Sequence, residues 1–144
     1  MEMKHILVLH PVAEYTLCRM LDACDRRGWK LSIMTIASSM VGGDGTRLHH
    51  WLRIPELNDD PEQLRRSVAG MKFDAIVPGN EFAVIAADVL AHELGLPGND
   101  LQAILASRDK RLMRIAFEAA GVPQPKVVAT FDSLEQAQAF NWSQ

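Results

Sequence analysis

Residues 6–9, Ile-Leu-Val-Leu, form a continuous apolar run with no polar face. A run this short reads as a strand, over residues 4–9, buried on both sides. Residues 12–27 then set Leu17, Met20, Leu21 and Cys24 on one helical stripe, with Gly28 behind them as a stop. A second apolar strand follows over residues 31–37. Strand, helix and strand in this order predict two parallel strands joined by a right-handed crossover. The unit commits the chain to an α/β fold: a three-layer α/β/α sandwich around a mainly parallel sheet.

The turn after the first strand, Leu9-His10-Pro11-Val12-Ala13-Glu14, excludes several chemistries. It holds no GxGxxG, so the dinucleotide fingerprint is absent. GxxxxGK[ST] occurs nowhere, and no acidic pair follows the first strand, which counts against a phospho-acceptor receiver domain. His10 stands at the carboxyl end of a strand, where open α/β sheets bind ligands. A solvated loop histidine is the other reading.

Residues 38–47 are polar and glycine-rich. No helix start follows directly, so they read as a flexible loop rather than a phosphate cradle. Residues 49–54 suit a short strand, in which His49 and His50 point to opposite faces and make no metal pair. Asp59-Asp60-Pro61-Glu62 is a helix start, with Leu64, Val68 and Met71 as the buried stripe. Residues 73–77 form the next strand. Pro78-Gly79-Asn80-Glu81 then leads into a helix through Leu94, with Val84, Ala87, Ala91 and Leu94 inward. Glu81 either favours the positive helix end, worth about 0.3–1 kcal/mol, or touches a ligand.

The last third begins with a short helical segment over residues 99–106. In residues 107–120, Leu112, Ile115, Ala116 and Ala119 make an apolar face, Asp109 lies in the first turn, and Gly121 is placed as a left-handed cap with Val122 as its hydrophobic partner. Residues 126–130 read as a strand. Residues 133–140 read as a helix with Leu134, Ala137 and Phe140 apolar.

A chain of 144 residues is expected to form a sizeable core. With 48% hydrophobic and 23% charged residues it is globular, and a net charge of −3 gives no electrostatic case for nucleic acid or an anionic membrane. No apolar run reaches the roughly 18 residues that span a bilayer, and the N-terminal run is too short for a signal peptide. A cytoplasmic protein is expected, without nucleic-acid or membrane partners. Cys18 and Cys24, six residues apart on one helix, are turned about 600° from each other and face different ways. They read as small buried hydrophobes.

Three pieces, FDAIVPGNEFAVIAADVLAHELGLPGN, SRDKRLMRIAFEAAGVPQP and DSLEQAQAF, occur in this order. Together they resemble the ATP-grasp superfamily where its N-terminal, Rossmann-like domain meets the ATP-binding domain. The nearest branch holds the L-amino acid ligases, related to biotin carboxylase and D-alanine ligase. The resemblance implies residues 1–106 as the pre-ATP-grasp domain and residues 107–144 as the first elements of the ATP-grasp domain. It implies a ligase joining a small-molecule carboxylate to an amine, with ATP and Mg2+ serving the parent protein. Lys110, the lysine of the Asp-Lys pair, inherits contact with the ATP phosphates; an exposed helix lysine beside Arg108, Arg111 and Arg114 is the other reading. Glu81 and His10 inherit places facing the substrate. No catalytic residue and no metal ligand is assigned, and no tightly bound cofactor is expected. A second phosphate-binding lysine, an adenine hinge and the magnesium ligands have no counterpart in these 144 residues. The expectation is therefore an N-terminal fragment, inactive alone, or a degenerate relative. The alternative is a stand-alone binding or oligomerisation module of the same fold, with Phe140 and Trp142 as an interaction surface. A two-fold homodimer is the default oligomer.

Overall fold

The computed structural model describes residues 3–36 and 45–142. Strands β1 (His5–Leu9), β2 (Lys30–Ile36), β3 (His50–Ile54) and β4 (Ala75–Pro78) pair in the order β3-β2-β1-β4, all parallel. The parallel α/β reading holds, with strand ends shifted by one or two residues. Ala37 and residues 38–44 of the glycine-rich loop lie outside the described residues, and Gly45–Arg47 form a 3-10 turn.

The two central strands, β1 and β2, are buried on both sides because helices cover both faces, whereas the edge strands β3 and β4 are mostly half-buried or exposed. Leu7 and Leu9 join Met34 and Ile54 beneath helices α2 (Pro61–Ser67) and α3 (Val84–Glu93), through Leu64, Ala86, Ala87 and Leu90. Val8, between them, points the other way with Leu31 and Ile33, against Leu17, Leu21 and Cys24 of α1 (Glu14–Asp25). Successive strand side chains face opposite sides, so two covered faces require an unbroken apolar run. The caps follow from their residues. Gly28 takes φ 65°, and the Asp60 carboxylate accepts from the backbone N–H groups of Glu62 and Gln63 at 3.0 and 3.4 Å.

The inward face of α3 differs from the expected one. Ala83, Ala86, Ala87, Leu90 and Ala91 are buried, while Val84 and Leu94 are only half-buried. The cause is the 3-10 turn Glu81–Ala83 ahead of the helix. It winds at about 3.0 residues per turn and so resets the phase in which α3 begins.

Beyond α3 the chain forms α4 (Leu101–Arg108), α5 (Lys110–Ala119) and α6 (Leu134–Ala139). α4 packs against α3 and α5. The apolar face of α5 is uncovered: Leu112, Ile115, Ala116 and Ala119 are exposed, Ile115 at 63%. One expectation fails here. Residues 126–130 form no strand, and Val127 and Val128 are exposed. A strand exists only through a ladder partner, and an apolar stripe only through a surface to cover it. Among the described residues neither element finds one. Leu134, one of the apolar residues of α6, is likewise exposed, whereas Phe140 meets Phe131 and Trp142 edge-on at 5.2 and 5.1 Å.

Two polar clusters hold the ordered half together. Asp88 of α3, 7% exposed, accepts from the backbone N–H of Asn99 at 2.8 Å and from its side-chain amide at 3.1 Å. The imidazole of His92 bonds the Asn99 carbonyl at 2.9 Å, so α3 fixes the approach to α4 twice. At the amino-terminal edge of the sheet, His5 bonds the Lys72 carbonyl through Nδ1 at 2.9 Å and buried Ser32 through Nε2 at 2.8 Å. A carbonyl can only accept, so Nδ1 carries the proton and neutral Nε2 accepts from the Ser32 hydroxyl. His49 stands edge-on to His5, with ring centroids 5.0 Å apart.

Replacing Asp88 with alanine strands the Asn99 N–H groups. Urea unfolding should show a loss of about 1–3 kcal/mol, and a change below about 0.5 kcal/mol would remove Asp88 as a strut. His5 titrates below the ordinary imidazole value, chiefly through burial, with His49, His50 and Lys30 adding to the effect against the Lys72 hydrogen bond. The fold therefore favours the neutral ring, and its contribution is full above about pH 6.5 and lost as pH falls below it. Asp22 and Asp74 are held low by Arg47 and by the His5 backbone N–H respectively. Their contribution persists down to about pH 4, and His49, also held low by burial and by the charges of Lys30 and His50, shares the higher window with His5. The thermal midpoint should fall between pH 7 and pH 5, and the slope should flatten in His5→Gln. An equal slope in both proteins would remove His5 from the account.

Candidate functional site

The carboxyl ends of β1 and β4 are adjacent, and the chain leaves them toward opposite faces of the sheet. In an open α/β sheet this is where a crevice forms. Here the two exits touch. The Gly79 N–H donates to the Leu9 carbonyl at 2.6 Å. A Cβ on Gly79 would lie 2.5 Å from the Pro11 nitrogen and 2.6 Å from its Cα, so no side chain fits there. The Asn80 side-chain amide donates to the His10 carbonyl, and its oxygen accepts from the Phe82 N–H at 2.7 Å. Asn80, not Glu81, is thus the cap.

His10 is not a solvated loop residue. It is half-buried at φ 50°, and its N–H donates to the Met34 carbonyl at 2.6 Å. Its buried Nδ1 has no hydrogen-bond partner among the described residues. The structure places His10 and Glu81 on the two neighbouring exits, as the sequence suggested. The Glu81 carboxylate pairs with Arg108 of α4, a partner 27 residues away.

Lys110 occupies a different place. α4 ends at Arg108 and α5 begins at Lys110, so Asp109 alone joins them. Its carboxylate caps α5, accepting from the N–H groups of Arg111 and Leu112 at 2.7 and 3.3 Å. At the far end Gly121 takes φ 66°, and the Val122 N–H reaches back to the Phe117 carbonyl at 2.9 Å. Between α5 and the extended segment 121–130 lies a cleft of about 1110 Å³. Its cations are Lys110, Arg111, Arg114 and Lys126, against the single carboxylate Glu118, and its apolar wall includes Ile115, Val122 and Val127. Arg111 pairs with Asp132 at 3.2 Å, and Arg114 bonds the Gln124 side chain at 3.3 Å. The Lys110 ammonium is exposed and makes no hydrogen bond or ion pair among the described residues. An uncommitted ammonium among cations suits an anion of several charges, such as a polyphosphate.

The sequence reading missed Arg108 as the partner of Glu81, and Arg114 and Lys126 as walls of the cleft. No local pattern marks a pairing across 27 residues. The spacing of Lys110 and Arg114 on one helical face was a readable signal for the cleft.

No family model matches this chain, and no curated protein matches it. Solved structures do. An L-amino acid ligase from Bacillus licheniformis superposes with a TM-score of 0.70 at 20% identity, covering 85% of this chain and 31% of that one. A phosphoribosylglycinamide synthetase from Anaerococcus prevotii gives 0.65 at 15%, covering 82% and 29%. The biotin carboxylase domain of a thermophilic 2-oxoglutarate carboxylase gives 0.62 at 20%, covering 95% and 33%. All three are ATP-grasp enzymes, the superfamily whose motifs this sequence resembles, and the chain has the fold of their N-terminal region. It spans about 30% of their length.

Gly79→Ala tests the touching exits. The added methyl must push apart two backbones rather than a flexible side chain. The expected loss is about 1–3 kcal/mol in chemical unfolding, with displaced amide signals at Leu9 and Asn80. A neutral substitution would mean that the two exits are free to separate.

Proposed function

We propose that this chain works as the N-terminal part of an ATP-grasp ligase that joins a small-molecule carboxylate to an amine through an acyl phosphate. One observation carries the reading: the ammonium of Lys110, in the Asp-Lys motif, is uncommitted on the wall of a cationic cleft. In this reading Lys110 contacts the phosphates of ATP. The γ-phosphoryl group passes to a carboxylate oxygen and ADP leaves. The amine then attacks the acyl carbon, inorganic phosphate departs and the amine gives up a proton. Glu81 and His10 face the substrate side.

The cleft fits a nucleotide in charge and in its apolar wall. Magnesium is different. Among the described residues no group of three or more His, Cys, Asp or Glu side chains is placed to hold a metal ion. No step here runs through a bound metal. The reading assigns the remaining phosphate contacts to the part of a full-length ligase that this chain does not span. It expects these 144 residues to be inactive by themselves. Among the described residues no helix is long and apolar enough to cross a membrane, and the reading places the ligase in the cytoplasm. A second reading, a stand-alone binding or oligomerisation module, draws on the Phe131, Phe140 and Trp142 cluster, where Trp142 is exposed.

Calorimetric titration with magnesium-ATP separates the two. One lysine without a full cradle supplies little beyond about 4 kcal/mol, a dissociation constant near 1 mM. The expected result is binding no tighter than that, lost in Lys110→Ala. Micromolar affinity dependent on Lys110 would mean a complete nucleotide-binding module. Affinity indifferent to Lys110 would remove the phosphate role.

A further inference from the structure

We propose that the Glu81–Arg108 ion pair is a strut that sets the position of Lys110, and that Arg108 is a positioning residue for it. The functional consequence rests on the reading of Lys110 as a phosphate contact. The mechanical link does not.

The strut has a fixed base. Glu81 opens the 3-10 turn after β4, and the residue before it is tied at two points: Asn80 caps Phe82 and donates to the His10 carbonyl. Gly79 is locked against Leu9 and Pro11. The other end is equally constrained. Arg108 is the last residue of α4, with its side chain only 27% exposed against 74% for Glu81.

One residue then separates Arg108 from Lys110, and every polar group of that residue is engaged. The Asp109 N–H donates to the Leu105 carbonyl at 2.9 Å, and its own carbonyl accepts from the Met113 N–H at 2.9 Å. Its carboxylate caps α5. An elbow held this way has little freedom to absorb a displacement. A shift of Arg108 is passed on to Lys110.

The pair also leaves room for a ligand to act on it. Arg108 meets one oxygen of the Glu81 carboxylate, and the second oxygen has no partner among the described residues. A cationic group that reached the exposed Glu81 carboxylate would compete with Arg108 for it. Occupancy at Glu81 and phosphate affinity at Lys110 are then linked, and such linkage runs both ways.

Charge alone predicts the opposite sign for the decisive variant. Glu81→Gln removes an anion paired with Arg108, which stands two residues of chain from Lys110, and Coulomb's law says that this should tighten the binding of an anion such as ATP at Lys110. A strut predicts weaker binding. The experiment is an amide NMR titration of the chain with magnesium-ATP, for the parent, Glu81→Gln, Lys110→Ala and the charge-exchanged pair Glu81→Arg with Arg108→Glu.

Before nucleotide is added, Glu81→Gln should move the signals of Asp109, Lys110, Arg111 and Leu112, leaving those of β1 to β3 and the thermal midpoint in place. With nucleotide its dissociation constant should rise about two- to fivefold, the range of an exposed ion pair. The exchanged pair should restore both. Unmoved signals at Lys110, or tighter ATP binding in Glu81→Gln, overturn the proposal. If Lys110→Ala leaves ATP binding unchanged, the phosphate reading fails, and the nucleotide-free signals still decide the strut.

Discussion

Two backbones meet where β1 and β4 end, and the arrangement of the ligand end of the sheet depends on that contact. Without a Cβ, Gly79 lets the exit of β4 lie against Pro11, and its N–H reaches the Leu9 carbonyl. The contact extends the β1–β4 ladder, which runs from Ile6 opposite Ala75 to Leu9 opposite Pro78, by one more bond. It holds His10 in a left-handed conformation that a non-glycine residue adopts only when its surroundings require it. It also brings Asn80 within reach of the His10 carbonyl, so that the cap of the next turn doubles as a clamp on the first loop.

The described chain divides into two halves with different physics. From β1 to α3 the apolar residues have partners on both faces of the sheet, and the buried set is nearly continuous. From α4 onward no described residue is fully buried, although α5 has a well-formed cap at each end. Local chemistry is enough to start and stop a helix. It does not bury one. α5 and the segment after it enclose a cleft rather than a core, and the cleft's positive charge comes from Lys110, Arg111 and Arg114 of α5 together with Lys126 on the opposite wall.

That division explains what could be read from residues alone. The strands, the Asp60 start and the glycine stops at Gly28 and Gly121 depend on neighbours a few residues away, and they were legible. The inward face of α3 was shifted because a 3-10 turn has no distinct sequence signature and changes the phase of the helix behind it. Residues 126–130 have strand composition, but composition cannot supply a ladder partner. In the site, the strand-end positions of His10 and Glu81 were legible, as was the start of a helix at Asp109 and Lys110. The pairing of Glu81 with Arg108 was not, because it depends on how α3 and α4 pack rather than on any spacing.

Asp109 belongs to two helices at once, as the end of α4 and the cap of α5. This makes the length of the joint more important than its composition. Asp109 is extended rather than helical, at φ −107° and ψ 115°, so one residue added between Arg108 and Lys110 would lengthen the joint by up to about 3.5 Å and let α5 turn against α4. Lys110 would keep its place on the wall of the cleft, which α5 and the segment after it form together, but the cleft as a body would shift away from Glu81 and Arg108. Among relatives that keep this elbow, insertions and deletions should therefore be excluded from it even where residue types drift, and the spacing itself is the inherited character.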